Sequence, residues 1–352
     1  MLSRRSFLTC LGAVPMIRIQ NSSAAAVQHT FSDWSAVSEL LNRILYQNIL
    51  SFWHPHTVDR EQRVYQLNHD IQGKYKGDSN KQLVVQARCV WFYSQLFRRG
   101  FGAQEHLDAA RIGFEFLRDH LWDHQYGGFY WEVDAAGESA TMPGKHLYGQ
   151  SFGLYALSEY YLASGDKEAL ALARQLFRIL EYYAYDPKYG GYIESFRREW
   201  TPPPAEERSY MSAPHKLKLM NTHLHLMEAF TTYYNTCKDP TARERLLELI
   251  RIQSNSVLRK NVGACTDRYE RDWTPLRGPD YDRVSYGHDL ENIWLLMDAC
   301  RAVGAPDGPL MDLFKTLFAY SLQYGFDAEQ GGVYNSGPFN GMADQRGKDW
   351  WV

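Results

Sequence analysis

Four stretches of this 352-residue chain set side chains that can move protons or hold charge into runs of helical period. Arg88 stands alone in one. In the others Tyr148 pairs with Phe152, Asn221 with His225, and His288 with Glu291, and spacings of three or four residues put each pair on one helical face. An imidazole titrates close to neutral pH and suits removal of a proton from the carbon beside a carbonyl. An arginine or an amide can support the oxyanion left behind. His-x-x-Glu occurs twice, from His225 to Glu228 and from His288 to Glu291, which favours a functional reading over that of lone helix histidines hydrogen-bonded in a core. The same spacing can ligate metal, but the di-iron pattern runs Glu-x-x-His and HExxH is absent, so neither metal nor cofactor is expected. Structural readings stay open for the rest: Arg88 as a buried ion-pair partner, Tyr148 and Phe152 as core. His223, two residues from both Asn221 and His225, falls on another face and reads as structural.

Helices must position these groups. Apolar residues recur every three or four positions near 31–53, 80–99, 103–121, 145–163, 166–184, 214–237, 241–259, 284–303 and 308–324, with a tenth helix starting near 342 and Trp350 and Trp351 opening it. No long alternating strand pattern is present. The breaks repeat: Asp123 to Tyr130, Asp186 to Ile193 and Asp327 to Tyr334 each run from an Asp, four steps to Gly-Gly, then to apolar or aromatic residues. Two helices and one Gly-turned short hairpin per period mark a repeat architecture. The expected class is all-α, a closed α/α toroid whose inner helices aim their polar residues at one central pocket. Six pairs need twelve helices and nine or ten are counted, so the toroid is either smaller than six or lacks its last helix pair. A toroid glycosidase would need paired carboxylates, and no comparably placed pair stands out.

Composition narrows the partners. Hydrophobic residues at 45% and charged residues at 22% describe an ordinary globular chain with material for a core. No stretch reaches about 18 uninterrupted apolar residues, so no membrane span is expected. A net charge of -3 without a basic block argues against a nucleic-acid partner. Twenty-four Tyr and 10 Trp supply rings with polar tips, which suit sugar surfaces or fill the space between helices. Residues 1–26 read as an export signal. Ser3-Arg4-Arg5-Ser6-Phe7-Leu8 has the twin-arginine pattern, an apolar run reaches Ile17, and Ala24-Ala25-Ala26 suits a signal peptidase. The folded domain is then 27–352, periplasmic or secreted; the alternative is a basic N-terminus on a cytoplasmic protein. Cys89, Cys237, Cys265 and Cys300 lie far apart without CxxC spacing, so no disulfide framework is indicated.

At the same residues the chain resembles the N-acylglucosamine 2-epimerase and cellobiose 2-epimerase family. The likeness is carried in order by Gln86-Ala87-Arg88, by Lys145 to Phe152 with Tyr155 to Tyr160, by Met220 to Glu228, by Ser285 to Glu291 and by Lys348-Asp349-Trp350-Trp351. It implies an (α/α)6 barrel that epimerises or isomerises a mono- or disaccharide at C2 through an enediolate, without a metal, as a monomer or homodimer. Arg88, Asn221, His225, His288, Glu291 and one Trp of the pair are then site residues, with Tyr148 and Phe152 lining the pocket. His288 would be one C2 acid/base, oriented by Glu291, and His225 would assist ring opening or proton movement around O1 and O5. The chain departs from the pattern twice. Members of the family continue past the Trp pair to a Trp-Lys-x-Pro-Tyr-His-like motif that supplies a second acid/base, and their Asp…Gly-Gly-Phe motif after the first helix is replaced here by Trp53 to Asn68. The alternative reading is a catalytically impaired carbohydrate-binding or regulatory protein on the same fold.

Overall fold

The computed structural model describes residues 34–70, 72–204, 207–210 and 213–349. The export signal expected at 1–26 and the pair Trp350 and Trp351 lie outside the described residues. Two compact units are present. The first, residues 1–43, contributes helix α1, Trp34–Arg43, none of whose residues is buried.

The second unit, residues 44–352, contains a π-helical turn, Ile44–Ile49, the short helix α2, Leu50–Trp53, and then four long helix pairs. These are α3 (Leu83–Arg98) with α4 (Gln104–Phe116), α5 (Leu147–Ser164) with α6 (Lys167–Tyr183), α7 (Met220–Cys237) with α8 (Pro240–Arg251), and α9 (Tyr286–Val303) with α10 (Met311–Gly325). Helix α6 shows why the outer members form. Asp166 caps it by accepting from the Glu168 and Ala169 amides, and its buried residues, Ala169, Ala173, Leu176, Phe177 and Leu180, make one stripe at helical period. By contrast, α5 is buried along almost its whole length from Leu147 to Tyr160, as a helix packed on several sides must be. Helix α3 packs on α5, α5 on α7 and α7 on α9, each inner helix also meeting its own outer partner. The fold is all-α, as its sequence period requires.

Every inner helix is entered from a short strand: Lys81–Gln82 before α3, Lys145–His146 before α5, Lys218–Leu219 before α7 and Arg283–Ser285 before α9. All are antiparallel to strands from other connections, such as Lys145–His146 on Ser195–Phe196. The Asp…Gly-Gly turns repeat in three dimensions. The Asp123, Asp186 and Asp327 amides donate to the carbonyls of Gly128, Gly191 and Gly332 at 2.8, 2.8 and 2.9 Å. Both glycines of each turn have positive φ, for example +70° and +71° at Gly127 and Gly128, a backbone that side chains rarely tolerate. The carboxylates of the three Asp residues take the ammonium groups of Lys145, Lys218 and Lys348 at 2.9, 2.9 and 2.5 Å. Arg198 and Arg271 add to the first two. Burial works against the charge on Asp123 and Asp186, yet the paired cations outweigh it and hold both well below the usual carboxylate range.

One expectation is corrected. No helix begins within residues 342–349. That stretch is committed to other contacts: the Ala343 amide donates to the Tyr324 carbonyl at 3.0 Å, Gln345 bridges Ser336, and Lys348 pairs with Asp327.

Candidate active site

Counting from the first residue of each inner helix, the sixth is Arg88 in α3, Phe152 in α5, His225 in α7 and Glu291 in α9. This shared register brings them together at one end of the helices. The Arg88 guanidinium lies over the Phe152 ring at 4.2 Å, a cation–π contact. Phe152 is 4.8 Å from the His225 ring, and Tyr148, from the first turn of α5, meets His225 edge to face at 5.2 Å and Phe152 at 5.0 Å. Burial pushes the Tyr148 hydroxyl up, with Arg88 pulling against it. Glu291 is raised from its ordinary value by burial, against the pull of His225 and Arg88.

Two histidines in this cluster are prepared differently. His225 is buried, and its Nδ1 lies 2.9 Å from Glu228 Oε2. A carboxylate only accepts, so Nδ1 donates and Nε2 is left as the basic nitrogen. His288 is pushed down to about 4, first by burial and then by His225 and Arg88, so it is an uncharged imidazole at neutral pH. The orienting bond expected between His288 and Glu291 is not formed; the histidine bonded to a carboxylate is His225. Glu228 is the residue the sequence reading left out of the pocket, although the doubled His-x-x-Glu pattern was its signal. Glu228 also faces the buried Tyr155 hydroxyl, and Tyr155 stacks on Trp91 at 4.9 Å. Asn221 stands at the mouth of α7. Its amide donates to Asp267 at 3.1 Å, and its Oδ1 is buried without a partner, available to a hydroxyl of a bound molecule. Trp350 and Trp351 lie outside the described residues.

His223 is structural, as its face requires. Nδ1 donates to the Leu219 carbonyl at 2.7 Å and Nε2 accepts from the Tyr192 amide at 2.9 Å, so both nitrogens are committed and burial pushes it down to about 3. Among the described residues, His54, Glu105 and His106 bring possible metal ligands within 4.8 Å of one another. Nδ1 of His106 accepts from the Ala103 amide, which fixes the proton on Nε2, so the set does not offer two free imidazole nitrogens. No helix among the described residues is long and apolar enough to cross a membrane.

Paired inner and outer helices with a histidine, arginine and carboxylate cluster at one end define an α/α-barrel protein. Residues 65–352 match the family described as N-acylglucosamine 2-epimerase (GlcNAc 2-epimerase), and the chain belongs to that family. It is 31% identical to a cellobiose 2-epimerase of Bacteroides fragilis, over 89% of this chain and 78% of that protein. It is 36% identical to a cellobiose 2-epimerase of Ruminococcus albus, over 75% of this chain but only 65% of the relative's length. The structure of cellobiose 2-epimerase from Bacillus thermoamylovorans superposes with a TM-score of 0.79 at 29% identity, covering 88% of this chain and 78% of that one. A D-mannose isomerase structure, at 20% identity and a TM-score of 0.75 over 94% and 79% of the two chains, shares the fold. The helix pairs are those of an (α/α)6 barrel.

Proposed function

We propose that this protein is a sugar 2-epimerase or aldose–ketose isomerase acting at C2 of an open-chain mono- or disaccharide. The observation that carries the reading is the convergence of Arg88, Phe152, His225 and Glu291 from one register position beside a neutral His288. In this reading His288 takes the C2 proton. The C2–H electron pair becomes the C1=C2 bond, and the carbonyl electrons move to O1, where Arg88 and Asn221 support the enediolate. His225, held by Glu228, serves ring opening and proton movement between O1 and O5. Returning a proton to the opposite face of C2 as the O1 electrons re-form the carbonyl gives the epimer; delivering it to C1, with the O2 proton passing to O1 as the C2 carbonyl forms, gives the ketose. The relatives named for cellobiose and mannose support a sugar substrate.

The test is proton NMR of reducing mono- and disaccharides with the full chain in D2O. Loss of the C2 proton signal, with an epimer or ketose appearing, is expected. Binding of sugars with no exchange across the panel would instead support the carbohydrate-binding reading. We also propose export in folded form through Arg4 and Arg5. Replacing both by Lys should trap the protein in the cytoplasm, and wild-type protein found wholly cytoplasmic with residues 1–26 attached would count against it.

A further inference from the structure

Between the first turns of α5 and α7 lies a carboxyl group that the proposed chemistry does not use. One strand position recurs before the inner helices. The Leu83 amide, first in α3, donates to the Trp131 carbonyl at 3.0 Å, the Leu147 amide of α5 to the Glu194 carbonyl at 2.9 Å, and the Met220 amide of α7 to the Asp267 carbonyl at 2.7 Å. Trp131 and Glu194 each stand three residues after the second glycine of an Asp…Gly-Gly turn. At Glu194 this position reaches two helices at once. Its carbonyl holds the start of α5, and its carboxyl accepts from the Thr222 hydroxyl in the first turn of α7. His146 completes the link: its Nε2 lies 3.6 Å from Glu194 Oε1, and its Nδ1 caps α5 by accepting from the Tyr148 amide at 3.3 Å. Glu194, His146 and Thr222 are all buried.

This bracket carries the second residue of each helix, Tyr148 on α5 and Asn221 on α7. Tyr148 meets the His225 ring at 5.2 Å, and Asn221 offers its buried, unpartnered Oδ1. Burial, with Asp267 adding to it, pushes the Glu194 carboxyl up to about 8 against the pull of the Thr222 hydroxyl and the Leu219 amide, so at pH 7 it is mostly an uncharged acid. The other titratable groups around it are His146, pushed down to about 3, His215 behind that ring, lowered by burial, and Asp267, raised by burial. Among the described residues Glu194 has no Lys or Arg as an ion-pair partner, so loss of its proton leaves a buried anion in the seam between the two helices.

We infer that Glu194 is a positioning residue, tying α5 to α7 through His146 and Thr222 so that Tyr148 and Asn221 present one fixed edge to the sugar. The uncharged acid does this; the anion does not. The role rests on the C2 reading proposed above, and its test is made on binding so that the two can fail separately. Calorimetry with a monosaccharide alditol, which lacks the C1 carbonyl and cannot turn over, would compare the wild-type full chain with Glu194→Gln, whose amide keeps the uncharged shape at every pH. For a carboxyl of pKa about 8 the uncharged fraction falls from about nine-tenths at pH 7 to about one-tenth at pH 9. Wild-type affinity relative to the Gln variant should therefore fall about tenfold over that range. Lys145 and Asp289, each also pushed to about 8, are present in both proteins and cancel in the ratio. Thr222→Val, which keeps the shape without the hydroxyl, should weaken alditol binding at pH 7 by about fivefold, the scale of one hydrogen bond, and Thr222→Ser should retain it. A ratio that does not change between pH 7 and pH 9, equal binding by Thr222→Val and wild type, or no alditol binding by the wild type at pH 7 would each overturn the inference. The tenfold change in ratio without C2-proton exchange on any sugar would keep Glu194 in its role and remove the chemistry.

Discussion

Deleting the His288 imidazole tests the proposed chemistry most directly. With its pKa pushed down to about 4, the ring is protonated in about one molecule in a thousand at pH 7, so essentially every active site holds the base form. No fraction of the rate is then lost to the wrong protonation state, and His288→Ala should remove the whole contribution of a positioned base. That contribution is about 10²–10⁴ in the rate of C2-proton exchange, which at 1.36 kcal/mol per tenfold corresponds to about 2.7–5.4 kcal/mol of barrier. The assay is loss of the C2 proton signal in D2O under saturating sugar, for the wild type, His288→Ala and His288→Gln, with circular dichroism to show that all three fold. A site-resolved NMR titration of labelled histidine adds an independent reading. At pH 5.5 His288 should be only about 3% protonated, whereas an ordinary imidazole of pKa about 6.5 would be roughly nine-tenths protonated. Exchange within tenfold of wild type in the alanine variant, or a His288 midpoint near 6.5, would refute the reasoning.

Two further outcomes concern the frame that holds the site. His223, fully buried and pushed down to about 3, binds its proton in the unfolded chain near pH 6.5 but not in the folded one. Wild-type stability carried by this group is therefore complete above pH 6.5 and is lost as pH falls toward 3. His223→Gln removes that loss, so from pH 7.5 to pH 5 the variant should gain about 2 kcal/mol relative to wild type in urea unfolding; an equal difference at both pH values would show the reasoning wrong. Asp186→Asn leaves Lys218, 1% exposed and 2.9 Å from the lost carboxylate, as a buried charge without its paired anion. It should cost about 3–5 kcal/mol, with Lys218→Met in the same chain restoring much of it; a double variant no more stable than Asp186→Asn would contradict this.

Much of this arrangement is legible in the sequence because one period governs both packing and chemistry. Helices α3 to α10 follow apolar residues spaced by three and four, and Arg88, Tyr148, Phe152 and His225 meet because inner helices enter the barrel in the same register. The misreadings have local causes. The tenth helix was expected near 342 from the run of helical periods before it, but Ala343 and Gln345 are tied to Tyr324 and Ser336 by backbone bonds that no helical period announces. The hairpins Val58–Asp59 with Val64–Tyr65 and Leu258–Arg259 with Ala264–Cys265 occupy the repeat's turn position without its Asp…Gly-Gly spelling. They turn instead on Arg63 at φ +53° and Gly263 at φ +85°. Trp131, His146 and Tyr210 meet across distant connections, which pairwise spacing along the chain does not express.

The register also separates structural from functional polar residues within a single helix. At the fourth position of every inner helix a polar side chain grips the backbone of an earlier turn: Gln86 donates to the Tyr65 carbonyl, Gln150 pairs with both the Phe129 amide and carbonyl, His223 accepts from Tyr192 and Asp289 accepts from Cys265. At the sixth position the side chain turns to the cluster. Two helical residues advance the chain by about 200° around the axis, enough to move from the face that anchors the turn to the face that meets the other inner helices. His223 and His225 differ by that rotation alone. One spends both nitrogens on backbone and is held uncharged by burial, while the other keeps Nε2 open with Glu228 behind it. A barrel made this way can exchange sixth-position residues, arginine for phenylalanine for histidine for glutamate, while the fourth-position contacts that fix each helix on its turn stay in place. That independence is what lets one repeated scaffold assemble a site from four unlike side chains.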